Sequence, residues 1–475
     1  MKRYEALAED IALSIRTGIL KRGEKLPSVR QTSERRGISQ ATVYQAYYLL
    51  EARGLIRARE RSGYYVIAGA SKLPPEPELL SSTSGDSTTV DVSELIFEVL
   101  QSTKVRDVVP LGSAFPSPSL FPYDKLASSM HSSLQQLDPW ATVEDLTTGS
   151  SELRRQIALR YLLVGMHVNP DDILITNGAL EALNLALFAV TRPGDAVIIE
   201  SPAFYGALQS LERMGLKAIE VATHPREGID LDALESALGK HQPKACWLMT
   251  NFQNPLGCSM PDQKKQNLVA LLERFQVPLI EDDVYAELYF SSHRPLPAKA
   301  FDQSGLVLHC SSFSKSLAPG FRIGWILGGR YLSKLIRQKL SSSLSASLPA
   351  QEAIAHYLSK GHYDNHLRRL RHTLSVQQSV YTEAIARYLP AGTLATRPSG
   401  GYVLWLELAL HVDVLHLQKL AIALGISIAP GPMFSAQRQF RHCLRLNYGH
   451  PYSDKTAEAM QTLGRLIQQQ SSITV

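Results

Sequence analysis

The stretch SSFSKSLAPGFRIGW at residues 311–325 is the most informative segment of the chain. It follows an apolar run, LVLHCSS at 306–312, that has the character of a buried parallel strand. Lys315 stands among hydroxyl side chains, and Arg322 follows seven residues later. A lysine that forms a Schiff base must lie beside a site that fixes an aldehyde in place. The stretch therefore predicts such a site around Lys315, although a single lysine in a serine-rich turn is more often a surface residue.

Short apolar runs of the same strand-like character precede this stretch and alternate with helical segments. The strand-like runs are VIIE (197–200), ACWLM (245–249) and PLIEDD (278–283), and the helical segments include EALNLALFAV (181–190) and DQKKQNLVALLERF (262–275). Alternating strands and helices over some 200 residues predict a doubly wound α/β domain with a parallel sheet. The chain from about residue 345 predicts a smaller α+β unit.

Two motifs upstream carry groups that can hold a flat, phosphorylated ligand. In TNGALEALNLAL (176–187) a glycine turn opens a helix, where the backbone N–H groups of Gly178 and Ala179 can bind phosphate. In ESPAFYG (200–206) the aromatic ring of Phe204 can stack on a planar ring. Taken singly, the first is an ordinary turn and the second is more often core packing.

Two further motifs carry polar groups for a heteroaromatic ring. NFQNPLG (251–257) offers Asn254 as a hydrogen-bond donor to a phenolate oxygen. EDDVYAEL (281–288) offers Asp282 for a pyridinium nitrogen and, three residues on, Tyr285 for the phenolate. An aspartate at a strand end is also a common helix cap. The order of all these motifs along the chain favours one shared site.

The first 70 residues are basic, whereas the rest of the chain is nearly neutral. They hold 13 Lys/Arg and seven Asp/Glu, against 36 and 37 in the remaining 405 residues. Their apolar spacing predicts one helix over 4–20, with the apolar residues Leu7, Ile11, Ile15 and Ile19, and a second helix from Pro27–Ser28 to Gly37. It also predicts two strands joined at 61–63 and a third helix from Ser39 to Gly54, whose apolar face is Val43, Ala46, Tyr47 and Leu50. This order predicts a winged helix-turn-helix, and the charge suits a polyanion. A three-helix module for protein contacts is the alternative.

In a winged helix-turn-helix, the start of the third helix reaches base edges in the major groove. Glutamine amides and nearby polar side chains can read bases there, while arginines meet phosphates. The expected base-contacting residues are Gln40, Tyr44 and Gln45, and the expected phosphate-contacting residues are Arg30, Arg35 and Thr42.

This N-terminal pattern resembles the GntR-type winged helix. The matching residues are LPSVR at 26–30, then Ser39, Thr42-Val43, Ala46-Tyr47, Leu50 and Gly54, with the wing SGYYV at 62–66. One departure is Gln40, because the family often has arginine after the helix cap. The resemblance therefore implies DNA binding but no particular base preference.

The motifs from about residue 108 to 470 together resemble the fold-type I, class I/II aminotransferases, whose cofactor is pyridoxal 5'-phosphate. The resemblance implies Lys315 as the residue of the internal aldimine, Asp282 at the pyridine nitrogen, and Phe204 as the stacking ring. It implies Asn254 and Tyr285 at the phenolate, and Gly178, Ala179, Ser312, Ser314 and Arg322 at the phosphate. The motif CLRLNYG (443–449) resembles the family's substrate-carboxylate motif and points to Arg445.

One expected residue of that family does not match. Family members often have a tyrosine five residues before a glycine that precedes an L-R pair, and that tyrosine reaches the partner subunit's phosphate. Counting back from Gly149 gives Glu144. An acid beside a phosphate is unfavourable, so no role is assigned to Glu144.

A GntR-like head joined to an aminotransferase-like body resembles the MocR subfamily of GntR-type regulators. We expect a DNA-binding head at 1–69, a linker with a short amphipathic helix at 70–107, and the cofactor body at 108–475; residues 70–90 are rich in Pro, Ser and Thr. The resemblance implies a head-to-tail homodimer that binds an operator and senses an amine or amino acid. Alternatives are an active aminotransferase with a DNA tether and a sensor of the cofactor itself.

Composition excludes other classes. No apolar run is long enough for a transmembrane helix, and the start of the chain lacks the apolar stretch of a secretory signal. Four scattered cysteines without a C-x-x-C pair argue against a zinc site or a disulfide framework. We therefore expect no metal and a cytoplasmic location.

Overall fold

The computed structural model describes residues 3–21, 23–52, 55–59, 62–66, 73–78, 83, 85–102 and 107–472. The N-terminal head contains α1 (Arg3–Arg16), α2 (Val29–Arg36), α3 (Gln40–Ala52), β1 (Ile56–Arg59) and β2 (Gly63–Val66). The side-chain oxygen of Ser28 caps α2, and Gly37 ends it in the left-handed conformation. β1 and β2 pair antiparallel as a wing. This is the expected winged helix-turn-helix.

The apolar face of α3 is the core of the head. Its members, spaced as in one face of a helix, are all fully buried: Val43, Ala46, Tyr47 and Leu50. The prediction for α1 was too long, because that helix ends at Arg16 and Gly18 follows with a φ of 78°. Ile19, expected on the apolar face of α1, lies beyond this end and is 73% exposed. Gly54 and Arg61, expected at the end of α3 and in the wing turn, lie outside the described residues.

The linker and body contain the remaining elements. The helices are α4 (Ser93–Ser102), α5 (Tyr123–Gln135), α6 (Ala141–Glu144), α7 (Ser151–Leu162), α8 (Ala179–Val190), α9 (Tyr205–Arg213), α10 (Leu231–His241), α11 (Asp262–Phe275), α12 (Leu332–Ser342), α13 (Leu348–Ser359), α14 (His362–Tyr388), α15 (Val414–Ala423) and α16 (Asp454–Ser472). The strands are β3 (Ser87–Thr89), β4 (Ile173–Thr176), β5 (Ala196–Ser201), β6 (Lys217–His224), β7 (Gly228–Ile229), β8 (Ala245–Leu248), β9 (Leu279–Asp282), β10 (Val307–Ser312), β11 (Gly324–Leu327), β12 (Leu394–Ala395), β13 (Val403–Glu407), β14 (Ala429–Pro430) and β15 (Cys443–Asn447).

A large sheet forms the centre of the body, in the order β3-β6-β5-β8-β9-β10-β11-β4, with β7 paired to β6. Five neighbouring strands of this sheet run parallel, in the order β6, β5, β8, β9 and β10. β11 is antiparallel to both of its neighbours, β10 and β4. Successive side chains of β5 alternate between two cores: Val197 and Ile199 pack with α8 and α9, and Ile198 packs with α10 and α11. Helices on both faces explain why these strands are continuously apolar. The predicted α/β class is confirmed.

The smaller unit is built on an antiparallel sheet in the order β12-β13-β15-β14, packed with α14, α15 and α16. Its edge also receives a segment from the start of the body, because Val109 donates to Gly425 O and accepts from Ser427 N. All four cysteines are buried and free. Among the described residues, we find no helix with the length and hydropathy required to cross a bilayer.

The stretch predicted as a linker is more structured than its composition indicated. Residues 87–89 form β3, which extends the large sheet by pairing antiparallel with β6. The amphipathic stretch that follows is α4, as expected, and its Ile96 and Val99 side chains are buried. The polar composition of β3 suits an edge strand, where one side of the backbone stays open to solvent.

Candidate functional site

The candidate site lies where the carboxyl ends of four neighbouring parallel strands meet. β5, β8, β9 and β10 are adjacent in the sheet. The turns after β5, β8 and β10 carry Phe204, Asn254 and Lys315, and Asp282 is the last residue of β9. Ligands of open α/β sheets bind at this edge, because loops from several strands converge there.

Lys315 is partly buried in the turn after β10. Its Nζ donates a hydrogen bond to Ala114 O at 3.0 Å and lies 3.8 Å from the centre of the Phe115 ring. Burial lowers the pKa of Lys315 to about 7, helped by the positive charges of Arg445 and Arg322 and opposed by the carboxylate of Asp282. A neutral amine near pH 7 is the form that attacks an aldehyde.

Asp282 ends β9 and is buried. Burial and the neighbouring Asp283 raise its pKa to about 7, while Lys315 opposes the rise. Its Oδ1 is buried and has no hydrogen-bond partner among the described residues. A buried acceptor without a donor is costly, and the ring N–H of pyridoxal phosphate would satisfy it. This orphaned oxygen fits the cofactor that the resemblance implies.

The two acids that flank Asp282 serve a separate buried network. Glu281 accepts from His309 Nδ1 at 2.8 Å, and the other ring nitrogen of His309 bonds Tyr161 Oη at 2.7 Å. Strand alternation sends residues 281 and 282 to opposite faces of the sheet. Only one of these neighbouring acids therefore serves the site.

The predicted phosphate cradle lies between the start of α8 and the turn before β11. Gly178, the N-cap of α8, has a φ of 82°, and a Cβ there would collide with the guanidinium of Arg322. Arg322 donates to Ser314 Oγ at 3.2 Å and to Asn177 O at 3.3 Å. Ser312 Oγ accepts from Ser314 N at 3.4 Å, and Ala179 is the first residue of α8. The structure thus brings all five predicted phosphate residues together.

The aromatic and amide groups predicted for the ring converge on the same edge. Phe204 is the N-cap of α9, is partly buried, and packs against Tyr205 with ring centres 4.9 Å apart. Tyr285 is buried and meets Tyr402 edge-on at 5.3 Å. Burial raises the pKa of Tyr285 to about 12, so it keeps its proton and can donate it to a phenolate.

Arg445 of β15 is fully buried beside this edge. It donates to Asn254 Oδ1 at 3.1 Å, to Gly112 O at 2.7 Å and to Ser113 O at 3.0 Å. Its Nε has no hydrogen-bond partner among the described residues. A buried guanidinium with a donor to spare is suited to a carboxylate ligand.

Sequence reasoning missed the segment 112–115, whose carbonyls accept hydrogen bonds from site residues. Asn447 Nδ2 donates to Ser113 O and Phe115 O at 2.9 and 2.7 Å, and Tyr402 Oη donates to Ala114 O at 3.1 Å. The sequence carries one usable signal, the glycine at the start of the segment. A Cβ at Gly112 would lie 2.5 Å from the backbone carbon of Ile428, so the close approach requires glycine.

The six predicted DNA-contacting residues lie on α2 and α3. Arg30, Arg35, Gln40, Tyr44 and Gln45 are exposed and Thr42 is partly exposed. Arg30 pairs with Glu34 on the same helix at 2.9 Å. Tyr44 and Gln45 also line an open groove whose far side includes His372 of α14.

Glu144 is the last residue of α6 and is exposed. Its neighbours Trp140 and Val143 are 69% and 60% exposed. Within the described part of the chain, Glu144 is not among the residues that contact the phosphate cradle.

The lowered pKa of Lys315 predicts how fast the cofactor-free protein captures pyridoxal phosphate at different pH values. Below pH 7 the neutral amine becomes about tenfold scarcer per pH unit, so capture should slow in proportion; above pH 7 it should level off. An ordinary lysine would keep gaining rate to about pH 10. Stopped-flow absorbance measures the rate of capture at each pH. The pH profile of the same reaction with Nα-acetyl-lysine serves as the correction. Asp282→Asn should move the midpoint of this pH profile to lower pH, because the carboxylate of Asp282 raises the pKa of Lys315. An unchanged midpoint would contradict the electrostatic interaction between Asp282 and Lys315.

Two family matches cover most of the chain. Residues 145–463 match the family described as aminotransferase class I and II, and residues 3–66 match the bacterial regulatory proteins of the gntR family. The first match spans the cofactor edge except for segment 112–115, and the second spans the winged helix-turn-helix.

Two relatives align with this chain over nearly their whole length. The chain is 49% identical to the HTH-type transcriptional regulator YdcR of Escherichia coli, over 99% of this chain and 100% of that protein. It is 40% identical to YjiR of the same organism, over 98% and 99%. Among solved structures, it is similar to LysN, the α-aminoadipate aminotransferase of Thermus thermophilus in complex with N-(5'-phosphopyridoxyl)-L-leucine, with a TM-score of 0.73, 28% identity, and 81% and 97% of the two chains covered. A multiple substrate aminotransferase of Thermococcus profundus matches with a TM-score of 0.74, 26% identity, and 81% and 96% covered. The chain therefore belongs to the HTH-type transcriptional regulators in which a gntR-family DNA-binding domain is fused to an aminotransferase class I and II domain, the domain order of the MocR subfamily.

Proposed function

We propose that the aminotransferase-like body is the sensor of this DNA-binding regulator. Its cofactor is pyridoxal phosphate, which supplies an aldehyde that condenses with amines. Lys315 provides the amine that holds the cofactor, Asp282 accepts from its ring nitrogen, and the cradle at Gly178 and Arg322 holds its phosphate. An amine or amino acid that enters the site changes the affinity of the head for its operator.

The observation that carries this proposal is the environment of Arg445. Its guanidinium is buried, has an unused donor, and is joined through Asn254 to the predicted phenolate site. The charge of Arg445 also acts on Lys315, because it contributes to the lowered pKa of that lysine. A ligand that carries both an amine and a carboxylate can therefore engage both residues at once, which favours an amino acid over a simple amine.

A second function uses the same site. The chain has the lysine, aspartate and arginine that the resemblance implies for transamination, so turnover of an amino acid to a keto acid is the alternative, with the head as a DNA tether. In a third function, the cofactor is itself the effector. Keto acid production identifies the second, and a difference in DNA binding between cofactor-free and cofactor-loaded protein without any amino acid identifies the third.

We further propose that the regulator acts as a homodimer in the cytoplasm, with each head near the partner's body. The support for a dimer is an exposed apolar face: Leu180 and Phe188 lie on one side of α8, and Leu340 lies on α12, which packs against it. Such patches on a soluble domain mark association sites. Leu180 follows the phosphate cradle by two residues, so a second copy would cover the edge of the site.

The test is to replace Arg445 by lysine, which keeps the charge but loses the forked donor. We expect the affinity of the cofactor-loaded protein for its amino acid to fall by about 100-fold, since a buried paired charge is disrupted. The ligand is found by titrating a panel of amino acids and following the cofactor's absorbance. DNA affinity is measured on a duplex that the protein selects from random-sequence DNA.

Arg441→Lys is the matched control, because Arg441 is exposed and pairs with Asp413 outside the site. It should bind ligand as the parent does. If Arg445→Lys bound every responding amino acid with the parent's affinity, the carboxylate role of Arg445 would be wrong. If no amino acid changed DNA affinity while keto acid accumulated, the hypothesis of an active aminotransferase would replace the hypothesis of a sensor.

A further inference from the structure

The segment 434–438 contacts the candidate ligand site at one end and the linker at the other. At the site end, the Phe434 ring is buried, and the guanidinium of Arg445 lies 5.4 Å from its centre. Phe434 O accepts a hydrogen bond from Ala203 N at 2.8 Å, next to the ring-stacking residue Phe204. Phe434 therefore touches both the carboxylate-binding arginine and the turn that carries the stacking ring.

At the other end, two side chains of the segment 434–438 hold the linker. Gln437 Nε2 donates to Thr88 Oγ1 of β3 at 3.0 Å. Arg438 donates to Asp91 O through Nε at 3.2 Å and through Nη2 at 2.8 Å. These contacts join the small unit of the body to the strand and the turn that precede α4.

The middle of the segment is anchored to the large sheet. Glu220 of β6 is buried and accepts from Ser435 Oγ at 3.3 Å and from Ala436 N at 3.2 Å. β6 is also the strand that pairs with β3. The segment 434–438 and the linker strand therefore lie against the same edge of the sheet.

A second element connects the same two places. Phe204 caps the start of α9, and Glu212 lies in its last turn. Glu212 Oε2 accepts from Val92 N at 2.9 Å and from Ser93 N at 3.0 Å, at the first turn of α4. α9 has nine residues and so spans about 13 Å as a rigid rod.

We propose that the segment 434–438, assisted by α9, couples the ligand site to the linker, with Gln437 and Arg438 as the residues that transmit ligand binding to the DNA-binding head. The proposal rests on the sensor function proposed above. A carboxylate that binds the unused Nε of Arg445 draws the guanidinium toward itself, and so moves it relative to Phe434. Close-packed side chains transmit such a shift because there is no space to absorb it. Couplings of this kind change affinity by about 5- to 150-fold.

The test uses the full chain loaded with pyridoxal phosphate and the double variant Gln437→Ala/Arg438→Ala. Residue 438 has a φ of 54°, in the left-handed region. Because alanine, like arginine, has a Cβ, the free-energy cost of this backbone conformation is the same in parent and variant. The probe is aminooxyacetate, which carries an amine-like nucleophile and a carboxylate. Absorbance of the bound cofactor reports occupancy, and amide exchange of peptides from 85–102 and 426–447 reports the two ends of the route.

We expect aminooxyacetate to alter exchange at both ends in the parent protein. In the double variant, occupancy and the change at 426–447 should persist, whereas the change at 85–102 should be lost. Arg441→Ala is the matched control, because Arg441 is an exposed, ion-paired arginine of the same region that pairs with Asp413 and not with the linker. It should respond as the parent does.

A parent-like response at 85–102 in the double variant would overturn the coupling role of Gln437 and Arg438. Glu212→Ala and Glu212→Gln test α9 in the same way: the alanine variant should weaken the linker response and the glutamine variant, which keeps an acceptor, should retain it. Absence of any absorbance change in the parent protein would overturn the sensor function itself, and the coupling with it. The two failures are thus distinguishable.

Discussion

Replacing Lys315 by alanine is expected to abolish covalent cofactor binding. The amine of this side chain is the group placed to condense with the aldehyde, and its pKa is lowered to about 7, so much of it is neutral at physiological pH. After borohydride reduction, purified Lys315→Ala should have no cofactor mass attached to the peptide that contains residue 315. Amino acids should then leave its DNA affinity unchanged.

The control for this prediction is Lys360→Ala, since Lys360 is an exposed lysine of the body. It should keep the full absorbance and the ligand response. A borohydride-reducible linkage in Lys315→Ala would place the Schiff base on another lysine. An unchanged ligand response in that variant would remove Lys315 from the sensing mechanism.

The second large effect is expected for the double variant Arg30→Ala/Arg35→Ala in the head. Both side chains are exposed on α2, and we expect them to meet the phosphates that flank the recognition helix. In a plot of log affinity against log salt concentration, the loss of two phosphate contacts should make the slope shallower by about 1.8 for each head bound. Affinity should fall to a similar degree on matched and mismatched sequences, because phosphate contacts carry no base information. Fluorescence anisotropy at several salt concentrations measures both.

Arg192→Ala is the control, because Arg192 is an exposed arginine on a loop of the body. It removes one positive charge without touching the head, and its salt dependence should equal that of the parent. If the double variant had the parent's salt dependence, these arginines would not lie on phosphates, and the orientation assigned to the head would be wrong.

Local pattern was sufficient for much of the fold. The apolar spacing of α3 predicted the residues that are fully buried in the head, and α11 has the same bounds as its predicted helical segment. The strand-like runs became the adjacent strands β5, β8, β9 and β10. Side-chain periodicity and continuous apolar runs are set by which faces are buried, so the sequence reports them directly.

Local pattern failed where a distant part of the chain decides the outcome. The linker composition predicted no structure, yet β3 forms because β6 offers an open edge. Ile19 fits the apolar period of α1, but Gly18 ends the helix first. The segment 112–115 matches no motif, because the site residues bind mainly its backbone carbonyls.

Residue type and spacing encode secondary structure and local chemistry, so they were sufficient to predict the two domains, the fold of each, and the motifs that meet at the cofactor edge. Long-range packing alone joins Arg445 to Asn254, leaves Asp282 an acceptor to spare while Glu281 is bound to His309, and brings the segment 434–438 against the linker. These pairings join residues up to 349 positions apart. Spacing along the chain cannot encode such contacts, since they arise only when burial of the two cores brings the elements together.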